Sequence, residues 1–485
     1  MYSFLNGLRI IQGGMGVYIS SPFLVNAFSR ACEKLDINGL GTVSGTAVER
    51  LMVTILQSGD QGGHFRRALS HFPMKGVADR VLNAYYDPSG RGIKSAPVYR
   101  LNPSRNWIEL AVTANFAFVW LAKEGHNRPV SINYLEKIAL PFVYYVTGAV
   151  MAGVDVITMG AGLPFDIPQV IDDLMNGRTL RYPIPIIGVD GHLEKEKVYT
   201  EFNPWEFFGG GMPAFKRPAF IPIISSILLA KLCVDPRRMP TGSVQGFVVE
   251  ESTAGGHNAP PRGSQILDEH GQPVYGEKDK VDYGKLREIG LPFWIGGSCS
   301  SPEKLNWALS MGATGIQAGS IFAYSKESGM NPLIREDFIR RVLKKELRIF
   351  TSPRFSPTGF PFKVAVLPDT LADPETYNRQ VRACTQGALV SLYRKPDGSI
   401  GYRCPSEPVD TYIRKGGKIE DTFERRCLCS GLMATAGLGK LKFDHTKIQA
   451  PIVTSGDDLD FIHHLGRNEN GVYSVEDAIR HLMGI

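Results

Sequence analysis

Residues 246–263 read GFVVEESTAGGHNAPPRG, and the rest of the chain is parsed most easily outward from them. Residues 246–250 carry the apolar run of a buried strand, while TAGGH at 253–257 is too rich in glycine to continue as sheet or to start a helix. The stretch therefore delivers one imidazole to the end of a strand. Gly255 and Gly256 allow positive φ and close passage of the backbone past a ligand, so His257 is presented at the rim of a pocket. The competing reading is a histidine buried in a tight turn with its hydrogen bonds satisfied.

The same strand and glycine-rich loop recurs on both sides. Upstream, strands are expected at 8–13, 39–45, 129–133, 154–159 and 220–225; downstream, at 293–297 and 315–319. Helices are expected at 23–35, 110–123 and 167–175, where Pro168 suits a first turn, and another starting at Ser301 in SPEK. Eight strand-loop-helix units in series, with every glycine-rich loop on the carboxyl side of its strand, predict an α/β fold of the (β/α)8 barrel type. An open doubly wound sheet would need Gly-x-Gly-x-x-Gly after the first strand, and QGGMG at 12–16 does not match it. The reading assigns residues 1–350 to the barrel, with insertions near 46–109, 181–218 and 260–290, and 351–485 to a C-terminal appendage containing cysteines.

Bulk properties narrow the class. At 485 residues, 43% hydrophobic and 21% charged, the chain has the make-up of a globular protein with a large core. A net charge of +6 over this length gives no reason to expect nucleic acid. No apolar run suggests a membrane span and the N-terminus lacks the pattern of a signal peptide, so a cytoplasmic location is expected.

The loops also indicate chemistry. A phosphate needs several N–H donors converging at small residues, and Gly296, Gly297 and Ser298 after the seventh strand, with Gly319 and Ser320 after the eighth, are placed to supply them. Gln12, Gly13, Gly14 and Met15 form a loop against which a flat ring can lie, although such a strand end can equally be only a turn. Asn133, at the end of the third strand, can donate and accept at the edge of a pyrimidine. Cys384, Cys404, Cys427 and Cys429 could hold zinc or an iron–sulfur cluster; buried structural thiols are the alternative, because the spacing lacks two CxxC knuckles. An odd total of seven cysteines argues against a disulfide framework.

Taken in order, IIQGGMG, AGGH at a strand end and GIQAGS resemble the nitronate monooxygenase family, formerly called 2-nitropropane dioxygenases and related to FMN-dependent enoyl-ACP reductases. The resemblance spans residues 8–324. It implies FMN, with Gly13, Gly14, Met15, Asn133 and Gln317 along the isoalloxazine and ribityl portions and His257 over the reactive face. The implied activity is oxidation of an alkyl nitronate by O2. NAD(P)H-dependent reduction of an enoyl thioester, with an acyl carrier or CoA as partner, is the alternative. An unperturbed imidazole at His257 would titrate near neutrality. Asn258, Ala259, Pro260 and Pro261 after the histidine depart from the family, as do the three insertions, so the substrate is left open. A non-enzymatic scaffold carrying a cysteine-bearing binding module is a third reading, and a homo-oligomer is compatible with all three.

Overall fold

The computed structural model describes residues 2–160, 162–439, 449–466 and 471–485. Eight strands close into an all-parallel barrel: β1 (Ile10–Gln12), β2 (Gly39–Ser44), β3 (Val130–Leu135), β4 (Val156–Gly160), β5 (Ala219–Ile224), β6 (Phe247–Glu250), β7 (Phe293–Gly296) and β8 (Gly315–Ala318). Each pairs with its sequence neighbours, and β8 pairs with β1 through Ile10↔Ile316 and Gln12↔Ala318. This is the predicted (β/α)8 architecture, and every predicted strand lies within two residues of an observed one.

Alternation along the strands divides the core. Ile11, Leu40, Val156, Ala219, Ile221, Val248 and Trp294 pack together in one small buried cluster. Ile10, Ile132, Ile157, Phe220, Phe247, Phe293 and Ile316 belong instead to the large cluster that includes the helices. Strands buried on both faces read as continuous apolar runs, which is why they were visible in the sequence. The Trp294 indole donates to the Leu8 carbonyl at 2.8 Å, satisfying its polar atom inside the core.

Local signals set the helices. Ser21 caps Pro22–Lys34 by accepting from the Leu24 N–H, and Ser301 caps Pro302–Ser310 by accepting from Lys304. The helix expected at 110–123 begins earlier, at Arg105, where Ser104 accepts from Trp107. Residues 46–109 hold Val48–Gln57, His64–Ser70 and Lys75–Tyr85, and these helices pack on Arg105–Lys123. Residues 181–218 contain most of an antiparallel hairpin, Leu180–Ile184 with Val198–Phe202. Residues 260–290 carry an isolated bridge and the short helix Tyr283–Arg287.

Residues 351–485 are woven into the barrel. The strand β9 (Arg348–Ser352) pairs antiparallel with β10 (Phe362–Val366), which in turn takes Gly256–His257 as a third strand. The turn expected at 253–257 thus ends as two rungs of sheet, a pairing that no local pattern announces. Ile187 in the second insertion pairs with Tyr393. The final helix, Val475–Met483, buries Val475, Ala478, Ile479 and Leu482 and packs against both Pro22–Lys34 and Pro302–Ser310. It occupies the place of the helix that follows β8, so the barrel layer extends past residue 350 and the intervening segment is an excursion from the last unit. The cause is its amphipathic pattern, which matches the groove between the neighbouring helices. Among the described residues, no helix is long and apolar enough to cross a membrane.

Candidate active site

The carboxyl ends of the strands open onto a cavity of about 270 Å3. Its barrel side includes Gly13, Gly14, Met15, Asn133, Gly296, Gly297, Ser298, Gln317, Gly319 and Ser320, together with Gly255, Gly256 and His257 from the loop after β6. The loops the sequence singled out therefore converge in space. Gln12 does not line the cavity. It is fully buried behind the wall, where its amide donates to Ser20 Oγ at 2.8 Å and to the Gly13 carbonyl, and its Oε1 accepts from the Thr42 N–H at 3.1 Å. It shapes the first loop from behind.

Asn133 is also committed. Its Nδ2 donates to the Gly14 carbonyl at 3.2 Å and its Oδ1 accepts from Thr158 Oγ1 at 3.0 Å, so the side chain braces the first loop against β4. The ligand edge that the sequence assigned to it is largely spent on protein.

Between β7 and β8 the backbone is shaped for close approach. Gly297 has φ +107°, and a Cβ there would stand 2.7 Å from Thr253 Oγ1; Ser298 has φ +49°. Positive φ at Gly297 keeps a side chain out of this corner, so a ligand can approach the backbone closely. Thr253 Oγ1 is buried with no hydrogen-bond partner among the described residues, as a hydroxyl that serves a ligand would be. Ser320 Oγ accepts from the Gly456 N–H at 2.9 Å. Asp458 also lines the cavity, with one carboxylate oxygen taken by the Ser300 hydroxyl. The Thr253 and Ser320 hydroxyls and the open backbone at Gly297 suit a phosphate held by neutral donors, while the Asp458 carboxylate is engaged by Ser300.

His257 is anchored from outside the barrel. Its Nε2 meets Ser356 Oγ at 2.7 Å, that hydroxyl contacts Thr358 Oγ1 at 2.7 Å, and the ring stands edge-on to Phe362 at 4.8 Å. Burial, reinforced by Lys137, pushes its pKa down to about 4. The imidazole is neutral throughout the neutral range, which corrects the expectation that it titrates there.

The group that does titrate near neutrality is Glu250, which sequence reasoning missed. It ends β6 and faces the same cavity, and burial, with no ion-pair partner among the described residues, lifts its pKa to about 7. Its neighbour Glu251 points the other way and accepts from the Tyr283 hydroxyl at 2.5 Å. The signal was available: two adjacent glutamates at the carboxyl end of an apolar barrel strand must send one side chain inward.

The opposite wall comes from the C-terminal excursion. Ala388, Leu389, Leu428, Cys429, Leu432, Met433, Ile452 and Ser455 complete the cavity. A Cβ on Gly255 would stand 2.6 Å from the Ser455 carbonyl carbon, so glycine is what lets the histidine loop and this wall meet. Arg50 also reaches the cavity. It is ion-paired with Glu49, lies 3.9 Å over the Tyr99 ring and donates to the Gln386 carbonyl at 2.8 Å.

The four C-terminal cysteines are brought together around a second, much smaller cavity of about 10 Å3. All seven cysteines are free. Burial, with Cys427 and Cys384 beside it, raises Cys429 to about 12. Among the described residues, no three His, Cys, Asp or Glu side chains stand as a ready-made metal site.

No family model and no curated protein matches the chain. Several solved structures are similar to it. FabK from Thermotoga maritima is 14% identical, with 99% of this chain and 94% of that one covered at a TM-score of 0.47. A nitroalkane oxidase from Streptomyces ansochromogenes is 12% identical over 99% and 96% of the two chains, at 0.44. The enoyl reductase domain of MlnA from the macrolactin cluster of Bacillus amyloliquefaciens is 11% identical over 100% and 96%, at 0.46. Likeness at this level assigns no activity to the chain.

Proposed function

We propose that this protein is an FMN-dependent oxidoreductase that oxidises an alkyl nitronate with O2. The observation that carries the reading is the division of the cavity: backbone and small polar residues on the strand ends, with Glu250 and His257 at the boundary with an apolar wall. FMN, when bound, supplies the electron transfer. Gly296, Gly297, Ser298, Gly319 and Ser320 would hold its phosphate through N–H and hydroxyl donors, and Gly13, Gly14, Met15 and Gln317 would lie along the ring and ribityl chain. Gly255 and Gly256 keep side chains out of the ligand's path.

The chain's own residues then handle substrate and proton. Neutral His257, oriented by Ser356, accepts or shares a hydrogen bond with the substrate, and it does not supply a permanent positive charge. Glu250 can hold a proton or release it near pH 7, the property required of a general acid or base. The apolar wall excludes water and strengthens these interactions.

A second reading, NAD(P)H-dependent reduction of an enoyl thioester, is favoured by that same wall, because Leu389, Leu428, Leu432 and Met433 would receive an acyl chain. In it, Glu250 would deliver the proton to the substrate carbon. An anaerobic titration separates the two. Bleaching of the flavin spectrum by a nitronate but not by NADPH supports the first, and the reverse supports the second. Protein that releases FAD, or that cannot be reconstituted with FMN, sinks both.

A further inference from the structure

Cys384, Cys404, Cys427 and Cys429 come from three separate stretches of the excursion, yet all four line the same small cavity. Such convergence is not a consequence of local sequence. The surroundings are mostly apolar, with Pro357, Ala388, Leu389, Val390 and Leu428 around the four sulfurs.

Four cysteine side chains around one small cavity are the full ligand complement of a tetrahedral zinc site or of an iron–sulfur cluster. The remaining wall offers no better explanation. Pro357, Ala388, Leu389, Val390 and Leu428 are apolar, and Glu407 is paired with Lys415 at 2.6 Å, so its carboxylate is engaged elsewhere.

We propose that Cys384, Cys404, Cys427 and Cys429 are the four thiolate ligands of one metal centre, either zinc or an iron–sulfur cluster. The sulfurs ring the cavity without yet forming a ready-made site, so the metal draws them inward as it binds, the usual coupling of metal binding to local folding. Cys384 is exposed and closes the solvent side; Cys404 is buried and closes the inner side.

The centre would act on the main cavity. Ala388, Leu389, Leu428 and Cys429 line both cavities, so a metal at the smaller one pins the apolar wall of the larger. The inference stands apart from the flavin reading, because it is tested by metal content in protein stripped of any flavin.

The experiment is elemental analysis with assay of acid-labile sulfide on anaerobically purified protein. Stoichiometric zinc without sulfide marks a single ion, and iron with sulfide marks a cluster; either supports the proposal. The metal should be lost from Cys384→Ser, whose exposed position makes misfolding the least concern, and from the Cys427→Ser, Cys429→Ser double variant. It should remain in Cys233→Ser, which alters a buried thiol on the helix Ile227–Val234. Protein that holds neither metal, and that in reduced form gives no thiolate-to-cobalt charge-transfer absorption with Co2+, overturns the assignment. So does full metal retention in both cysteine variants.

Discussion

The two walls of the cavity are built on different plans. The strand-end wall is backbone, glycine and short polar side chains set on β1, β3, β7 and β8, and it owes its shape to the barrel's closure. The facing wall is Leu389, Leu428, Leu432, Met433 and Ile452, carried by a chain excursion that leaves the barrel after β8 and returns as its last helix. A bare-backbone surface can recognise a rigid polar group by hydrogen bonds, whereas an apolar surface excludes water and selects by shape. The comparison teaches that cofactor retention and substrate choice should be separable by mutation on opposite walls.

The hardest test of the strand-end wall is Gly297→Asp. It adds a Cβ at φ +107° against Thr253 and puts a carboxylate where an anion is expected, so flavin retention should be abolished, a loss of at least ~100-fold in affinity. Flavin content measured beside a thermal melt checks this, and a folded variant with normal flavin breaks the division of labour.

Next, His257→Ala should lower turnover by roughly 100-fold while FMN content holds, since the imidazole touches Ser356 and the cavity but not the β7–β8 loops. Loss of flavin in proportion to activity would make it a structural residue.

Glu250→Gln sharpens the boundary between the walls. The folded pKa is raised to about 7 from the ordinary 4.5, so the carboxyl favours folding below the lower value, and that contribution is lost as pH rises through the higher. The glutamine variant should therefore melt at a higher temperature than the parent above pH 7, by no more than about 3 kcal/mol of stability. A limb near pH 7 in the rate profile should vanish in this variant and persist in His257→Ala. The opposite assignment would return the titrating role to the histidine.

The smallest effect is expected on the apolar wall. Leu432→Ala should raise KM by less than ~10-fold and leave flavin content unchanged, in keeping with the burial energy of a few methylene groups. Release of flavin by this substitution would show that the walls are not independent.

The difference between the walls also explains what the sequence disclosed. Strands buried on both faces produce a local pattern, so all eight were readable, and Gly13, Gly297 and Ser320 from the glycine-rich loops line the cavity. Gln12 and Asn133 belong to the same loops, but whether a polar side chain turns toward a ligand or braces the backbone depends on Ser20, Thr42 and Thr158, which no spacing identifies. Glu250 was visible as a strand-end carboxyl and was passed over in favour of the more distinctive AGGH. The Ser356 anchor of His257 and the Leu389–Met433 wall arise from pairings across about a hundred residues or more, and they leave no local trace.

The closing helix bears on how the molecule is made. Lys34 on the first barrel helix is ion-paired with Glu476 on the last, at a separation of 442 residues. On the ribosome, the first barrel helix meets this partner only after 442 further residues have been added. Until then the groove between Pro22–Lys34 and Pro302–Ser310 has no occupant from this chain, and the nascent barrel carries an apolar seam that invites chaperones or aggregation. Truncation within the final helix should therefore show itself first as poor yield of soluble protein.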